Sequence, residues 1–287
     1  MMLNCLNYCR LTVTALFLFV VVSGVQAQVC NYKKTYLYRD IYTEEVASRL
    51  FLGNRQFKIG ISKVDGRWIS FEWSDRPENI VTPEAAVDFK VDGTWMVEAN
   101  GAKYIRHHWL TDPNNHSATL HVVLSVNGYE LDCQYEVRSG TPRLFRRAEV
   151  LNNQSTAQVE GFRFSVPGLV FANAADSQIE QPTTLSDYSF AVTYDRTATA
   201  ADMKDSREGA AIFATATNRW NTVLGSWMMS ENDSDNFSSS VTGVEKLSFQ
   251  HEELRTQTLR AGQPASSREH RLYWAKGQDT ELVAMHR

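Results

Sequence analysis

The strongest constraint on this chain is a two-residue period. Leu120, Val122, Leu124 and Val126 recur at alternate positions, with Thr119, His121 and Ser125 among the residues facing the other way. Asn127-Gly128 follows, and then Tyr129, Leu131, Cys133, Tyr135 and Val137 alternate with Glu130, Asp132, Gln134, Glu136 and Arg138. Successive side chains of a strand point to opposite faces, so each run buries one row and solvates the other. Asn-Gly between two such runs marks a tight hairpin, because both turn residues take positive φ. Asp65-Gly66, Asp92-Gly93 and Asn100-Gly101 repeat the arrangement: Asp65-Gly66 separates FKIGISKV from RWISFEW, and TWMVEA lies between the other two. The pattern predicts an antiparallel meander, with at least three of the four dipeptides closing two-residue hairpins.

Further strands are expected at Leu144–Asn152, Val159–Val166, Asp187–Tyr194, Ala210–Ala216, Val223–Ser230 and His270–Ala275. Helix is expected below about 15% of residues, far under the usual share. Thr43–Leu50 (TEEVASRL) reads either as a short helix capped by Thr43 or as a strand, and Pro83–Val87 as a single turn. Thr197–Glu208 and the Ser-, Asn- and Asp-rich Glu231–Thr242 read as loops. A dozen strands with no internal repeat and no linker exceed a small immunoglobulin-like domain. They fit an all-β fold, a large antiparallel β-sandwich with little helix.

The chain opens with a three-part leader: Arg10, the apolar run Leu11–Val22, and small residues ending at Ala27. It is expected to be a signal peptide, residues 1–27, leaving a β-sandwich domain over 28–287. The apolar run is short for a bilayer span, which favours cleavage over retention as an anchor. No membrane span is expected after cleavage, and the location is secreted or periplasmic. Cys30 and Cys133 then remain of the four cysteines, either bridged or, for Cys133 on an apolar strand face, as a buried thiol. A net charge of -4 without a basic stripe argues against nucleic acid.

Motifs of known chemistry are few. There is no Gly-x-Ser-x-Gly, Ser-x-x-Lys or phosphate-binding glycine loop. His107 and His108 are adjacent in a strand, so their rings diverge and cannot share a metal ion. The acidic loop Glu231–Asn236 lacks the glycine and terminal glutamate of a helix-loop-helix calcium site. No metal and no cofactor is expected. Glycosylation triplets begin at Asn115, Asn153, Asn232 and Asn236. The seven tryptophans are more suggestive. Indole rings stack on the C–H faces of sugars, although most tryptophans of a sandwich serve its core. The segment RHHWL is the candidate carbohydrate-binding strand: Arg106 and His108 on one face, His107 and Trp109 on the other. Arg106, His108 and Trp109 are the candidate site residues.

The segment Tyr129–Val166 resembles the N-terminal β-supersandwich domain of α-galactosidase-type glycoside hydrolases, a sandwich akin to that of the galactose mutarotases. The resemblance lies in Tyr135-Glu136-Val137, Pro142, Arg146-Arg147 and Asn152, and in Leu259–Gln263 followed by Glu269–Trp274. It implies a β-supersandwich that contacts an oligosaccharide, accessory to or derived from a glycoside hydrolase. The catalytic carboxylates of those hydrolases sit on a barrel of ~250 residues, for which this chain is expected to have no room. A partner hydrolase supplying that barrel is one expectation. A sugar epimerase or mutarotase-like enzyme using His and Glu on the sandwich is the alternative, and a structural or protein-interaction domain a third. A cleft bringing a His and a carboxylate to one point favours the enzyme, and a shallow platform with an exposed Trp favours the binder.

Overall fold

The computed structural model describes residues 33–73, 76–79, 87–151, 156–170, 178–179, 183–186, 210–217, 222–228, 236–242 and 246–276. They fall within one compact unit, Asn31–Arg287. The first sheet is a meander in sequence order, β1 (Lys33–Tyr38), β2 (Ile41–Val46), β3 (Arg49–Gly53), β4 (Phe57–Ser62), β5 (Trp68–Trp73) and β6 (Arg76–Asn79). The stretch Thr43–Leu50 is thus a hairpin, not a helix: β2 ends at Val46, Ala47 and Ser48 turn, and β3 begins at Arg49. Thr43 and Glu44 are buried on β2, and ladder pairing fixes their register with Leu52 and Phe51.

After β7 (Val87–Val91) and β8 (Thr94–Trp95) comes the one helix among the described residues, α1 (Met96–Asn100). Four long strands follow: β9 (Lys103–Asp112), β10 (Ser117–Val126), β11 (Tyr129–Arg138) and β12 (Arg143–Leu151). The remainder comprises β13 (Ala157–Val170), β14 (Gln178–Ile179), β15 (Thr183–Ser186), β16 (Ala210–Thr217), β17 (Thr222–Met228), β18 (Asn236–Thr242), β19 (Lys246–Glu253), β20 (Gln257–Leu259), β21 (Ala265–Ser266) and β22 (His270–Lys276). A ten-stranded antiparallel sheet runs β14-β16-β17-β22-β12-β11-β10-β9, with β15 and β21 attached at its sides. A six-stranded sheet runs β18-β19-β13-β7-β8, with β20 attached to β13.

One core joins the inner faces of all three sheets. The alternating row Leu131, Cys133, Tyr135 and Val137 of β11 is sealed in it, as are Leu120 and Val122 of β10, Phe162 and Phe164 of β13, and Trp68 and Phe71 of β5. Burying such side chains contributes about 1.5–3 kcal/mol each, which explains why the two-residue period dictates the architecture. The fold is the expected all-β sandwich, and helix is confined to α1 among the described residues. Cys133 is a free thiol buried in this core. Cys30 lies outside the described residues, as do Asp187–Tyr194, Thr197–Glu208 and residues 83–86 of the expected turn.

Three expectations need correction. Only two of the four Asx-Gly dipeptides close two-residue hairpins: Asp92-Gly93, between partners Val91 and Thr94, and Asn127-Gly128, between Val126 and Tyr129. All four of these residues have positive φ. The Asp65-Gly66 connection is wider, spanning residues 63–67, because it packs against the ten-stranded sheet. A Cβ at Gly66 would lie 2.4 Å from a methyl of Leu124, so only glycine fits. Asn100-Gly101 ends α1 instead of turning a hairpin. The carboxylate of Asp88 accepts from the backbone N–H groups of Val97 and Glu98, and Gly101 donates to the Val97 carbonyl. These bonds satisfy donors of the first turn and wind Met96–Asn100 into a helix. Finally, the expected loop Glu231–Thr242 contains the strand β18, paired along its length with β19. It is an edge strand, where polar residues are well suited.

Candidate functional site

Register on the outer face of the ten-stranded sheet builds the site. Cross-strand partners share a face, so three successive rows form across β9, β10, β11 and β12. The first is Arg106, Val123, Asp132 and Glu149; the second is His108, His121, Gln134 and Arg147; the third begins with Leu110 and Thr119 and continues through Glu136 and Phe145. The register from Asp112 to Arg106 puts Leu110, His108 and Arg106 on this face, and a bulge at Ile105 shifts only Tyr104 and Lys103 beyond it. These rows line a groove of about 420 Å³ formed by His108, Leu110, Thr119, His121, Asp132, Gln134, Glu136, Phe145, Arg147 and Glu149.

Its centre is a histidine–aspartate pair. His121 Nδ1 lies 2.8 Å from Asp132 Oδ2, and Gln134 Nε2 donates to the same oxygen at 3.2 Å. Both partners are largely shielded, with side chains 12% and 14% exposed. The other oxygen, Asp132 Oδ1, is buried without a hydrogen-bond partner. His108 stacks on His121 at 4.4 Å with the planes 13° apart. Partial burial, followed by the neighbouring His121, pulls the His108 pKa below its ordinary value. One end of the groove carries Phe145, which lies beneath the guanidinium of Arg138 at 4.1 Å.

Most charge around the groove is already matched. Arg106 binds Glu130 at 2.9 Å, Arg138 binds Glu136 at 2.9 Å, and Glu269 accepts from both Arg147 and Arg271. Asp132 and Glu149 make no ion pair with Lys or Arg among the described residues. Nor do the described residues contain a group of three or more His, Cys, Asp or Glu that could hold a metal ion.

The three candidate residues from the sequence are placed apart. His108 lines the groove. Arg106 lies in its first row, beyond the lining, tied to Glu130. Trp109 points to the opposite face, half-buried against the core and edge-on to His107 at 5.8 Å. There it joins a separate cluster in which Tyr104 Oη lies 2.6 Å from His107 Nδ1. Of the tryptophans with described side chains, Trp68 is fully buried and Trp95 and Trp109 are half-buried. Sequence reasoning weighed His121 only as a metal ligand and did not single out Glu149 or Asp132, having read the polar row of β11 as solvated. That row is instead half-buried and ion-paired.

No protein-family model matches the chain, and no curated protein sequence does. Solved structures do resemble it. A GH36 α-galactosidase from Geobacillus stearothermophilus superposes with a TM-score of 0.50 at 12% identity, covering 85% of this chain and 41% of the other. A TPR-domain containing protein from Parabacteroides distasonis gives 0.46 at 12%, covering 84% and 48%. A galactose mutarotase related enzyme from Lactobacillus acidophilus gives 0.44 at 10%, covering 80% and 98%. The chain therefore shares the fold of the matched part of that α-galactosidase. It spans about two-fifths of the length of the α-galactosidase it matches.

Proposed function

We propose that this chain is an exported sandwich domain that contacts carbohydrate through the outer-face groove, accessory to or derived from a glycoside hydrolase. The groove carries the proposal. It offers carboxylate, amide, hydroxyl and imidazole groups for sugar hydroxyls beside the stacked rings of His108 and His121. His108 keeps its place from the sequence reading, with Arg106 at the rim, and Trp109 belongs to the other face. The leader supports export to the periplasm or beyond, where a partner hydrolase would act on the same glycan. A groove with few stacking rings yields only ~4–5 kcal/mol, so millimolar dissociation constants are expected. A glycan array followed by calorimetry tests this. His121→Ala should weaken binding at least tenfold. A folded protein that binds no glycan would return the chain to a structural or protein-interaction role.

A second reading is favoured by one observation. The groove is a cleft that brings a histidine and a carboxylate together, the arrangement expected of a sugar epimerase or mutarotase-like enzyme. When His121 Nδ1 carries the proton shared with Asp132, Nε2 holds the lone pair and can accept a proton. Polarimetry of freshly dissolved aldoses distinguishes the readings. Catalysed mutarotation that disappears in His121→Ala supports the enzyme, and its absence supports the binder.

A further inference from the structure

We infer that β9 is a self-complementary edge through which two copies of this chain pair antiparallel, joining their ten-stranded sheets into one. The inference goes beyond the carbohydrate reading and stands whether or not the grooves hold sugar.

Among the described residues, β9 ends the ten-stranded sheet and has β10 as its ladder partner. Which of its backbone groups face outward follows from the neighbouring hairpin. A two-residue hairpin closes on a hydrogen-bonded pair, here Val126 and Tyr129, and bonded and non-bonded pairs then alternate along the strands. Leu124, Val122 and Leu120 therefore bond β11, while Val123, His121, Thr119 and Ser117 bond Arg106, His108, Leu110 and Asp112 of β9. His107, Trp109 and Thr111 are left with N–H and C=O groups directed away from the sheet. Tyr104, opposite Leu124 beyond the bulge, obeys the same rule: its N–H reaches outward to the Val64 carbonyl at 3.0 Å. Among the described residues, none bonds the outward backbone groups of His107, Trp109 and Thr111. Edge strands are commonly guarded by lysine, proline or a bulge. On β9 these lie at the two ends, Lys103 and the bulge at Ile105 on one side and Pro113 on the other, and the stretch from Arg106 to Asp112 between them is regular.

The strand's own sequence selects a second copy as the occupant. With Trp109 opposite Trp109 of the second copy, His107 falls opposite Thr111. All three outward residues then enter hydrogen-bonded pairs, about six new backbone bonds. The pairs between them are the non-bonded kind, whose side chains approach more closely: Arg106 opposite Asp112 and His108 opposite Leu110, each occurring twice. Arg106 and Asp112 carry opposite charges on one face. Arg106 is half exposed and binds Glu130 through one nitrogen, leaving other donors of its guanidinium for a second carboxylate. Leu110, 54% exposed in one copy, is covered by an imidazole. Sliding one copy by two residues loses the Arg106–Asp112 pairs and sets an outward residue against the bulge or Pro113, and sliding it by one turns the faces over. The two-fold axis passes through Trp109 perpendicular to the sheet, so both outer faces lie on one side. His108 lines the groove of its own copy, Leu110 of the second copy borders it, and the two grooves run into each other across the joint.

Sedimentation velocity of the purified full chain over a dilution series tests the proposal. A dimer is expected, with an affinity that falls as salt rises. Thr111→Pro removes an outward N–H, leaves the ladder with β10 intact and should yield a monomer. Arg106→Glu and Asp112→Lys each set like charges opposite one another and should weaken the dimer at least tenfold. Mixed in equal amounts, these two variants restore opposite charges at both positions and should re-form a dimer containing one of each. Thermal melting establishes that each variant is folded; should Asp112→Lys fail to fold, Thr111→Pro and Arg106→Glu carry the test. A monomer at the highest soluble concentration overturns the proposal. A dimer left as tight as before by Thr111→Pro and Arg106→Glu places the interface elsewhere and overturns it too. Failure of the two folded charge variants to associate on mixing overturns the register and with it the self-complementary edge.

Discussion

Two pairs of histidines sit in opposite environments, one on the outer face of the ten-stranded sheet and one in the core. On the outer face, His108 and His121 stack at 4.4 Å beside Asp132. In the core, His251 and His270 meet edge to face at 4.9 Å, and Arg146 Nε donates to His270 Nδ1 at 3.1 Å. The inner pair is sealed. Phe164 stacks on His270, while the Arg146 guanidinium lies over Trp68 and Phe164. Burial, reinforced by the adjacent Arg146, holds the His251 pKa at about 3 and pushes that of His270 far down as well. Burial also lowers Arg146 to about 10. The same residue types therefore do different work. The inner imidazoles are neutral packing and hydrogen-bonding elements, whereas the outer ones line a groove beside a carboxylate.

The contrast between faces is largest within single strands. Leu131 is fully buried and its neighbour Asp132 faces outward. Leu131→Asp is expected to cost about 3–5 kcal/mol in urea denaturation, because it places an unpaired charge in the core. Asp132→Leu should stay within about 1 kcal/mol, the value of the exchanged hydrogen bonds. Equal losses would mean that the faces are misassigned.

Acid provides the next effect. The folded-state pKa values of His251 and His270 lie below the unfolded value near 6.5, so below that pH the unfolded chain binds protons that the native chain refuses. Their contribution is fully present above about pH 6.5 and is lost as pH falls toward the folded values. Stability should drop by about 1.4 kcal/mol per pH unit for each ring between pH 6 and 5. A flat profile over that interval would place the inner pair in contact with solvent.

The smallest effect is a gain. Glu149→Gln removes a like charge opposite Asp132 and should raise stability by roughly 0.5 kcal/mol without ligand. A loss of stability would mean that Glu149 already has a cationic partner.

Much of the sandwich, and part of the groove, was legible in the sequence. The period of two placed Leu131, Cys133, Tyr135 and Val137 inside, and the same rule put His108 and Arg106 together on the face opposite Trp109. Asn127-Gly128 carries more information than it first yields. A two-residue hairpin pairing Val126 with Tyr129 fixes His121 opposite Gln134 and Val123 opposite Asp132, which already assembles the histidine–aspartate pair. The partners on β9 and β12 were not legible. The first depends on the four-residue connection between Asp112 and Ser117, and the second on the register of Asp132 with Glu149, neither of which carries an Asx-Gly signal. Arg146-Arg147 illustrates the same limit. Alternation sends one guanidinium inward and one outward, but nothing in the sequence says that Arg146 is held in the core by His270, Ser165 and aromatic rings.

The division between a sealed and an open histidine pair is tested most directly by NMR of the ring protons. Signals are assigned through single His→Gln variants and followed as the best-binding glycan of the array is added. His108 and His121 should shift in a saturable, concentration-dependent manner while His251 and His270 stay fixed. Shifts confined to other histidines, or none in a folded protein at millimolar glycan, would contradict the placement of the carbohydrate site in the outer groove.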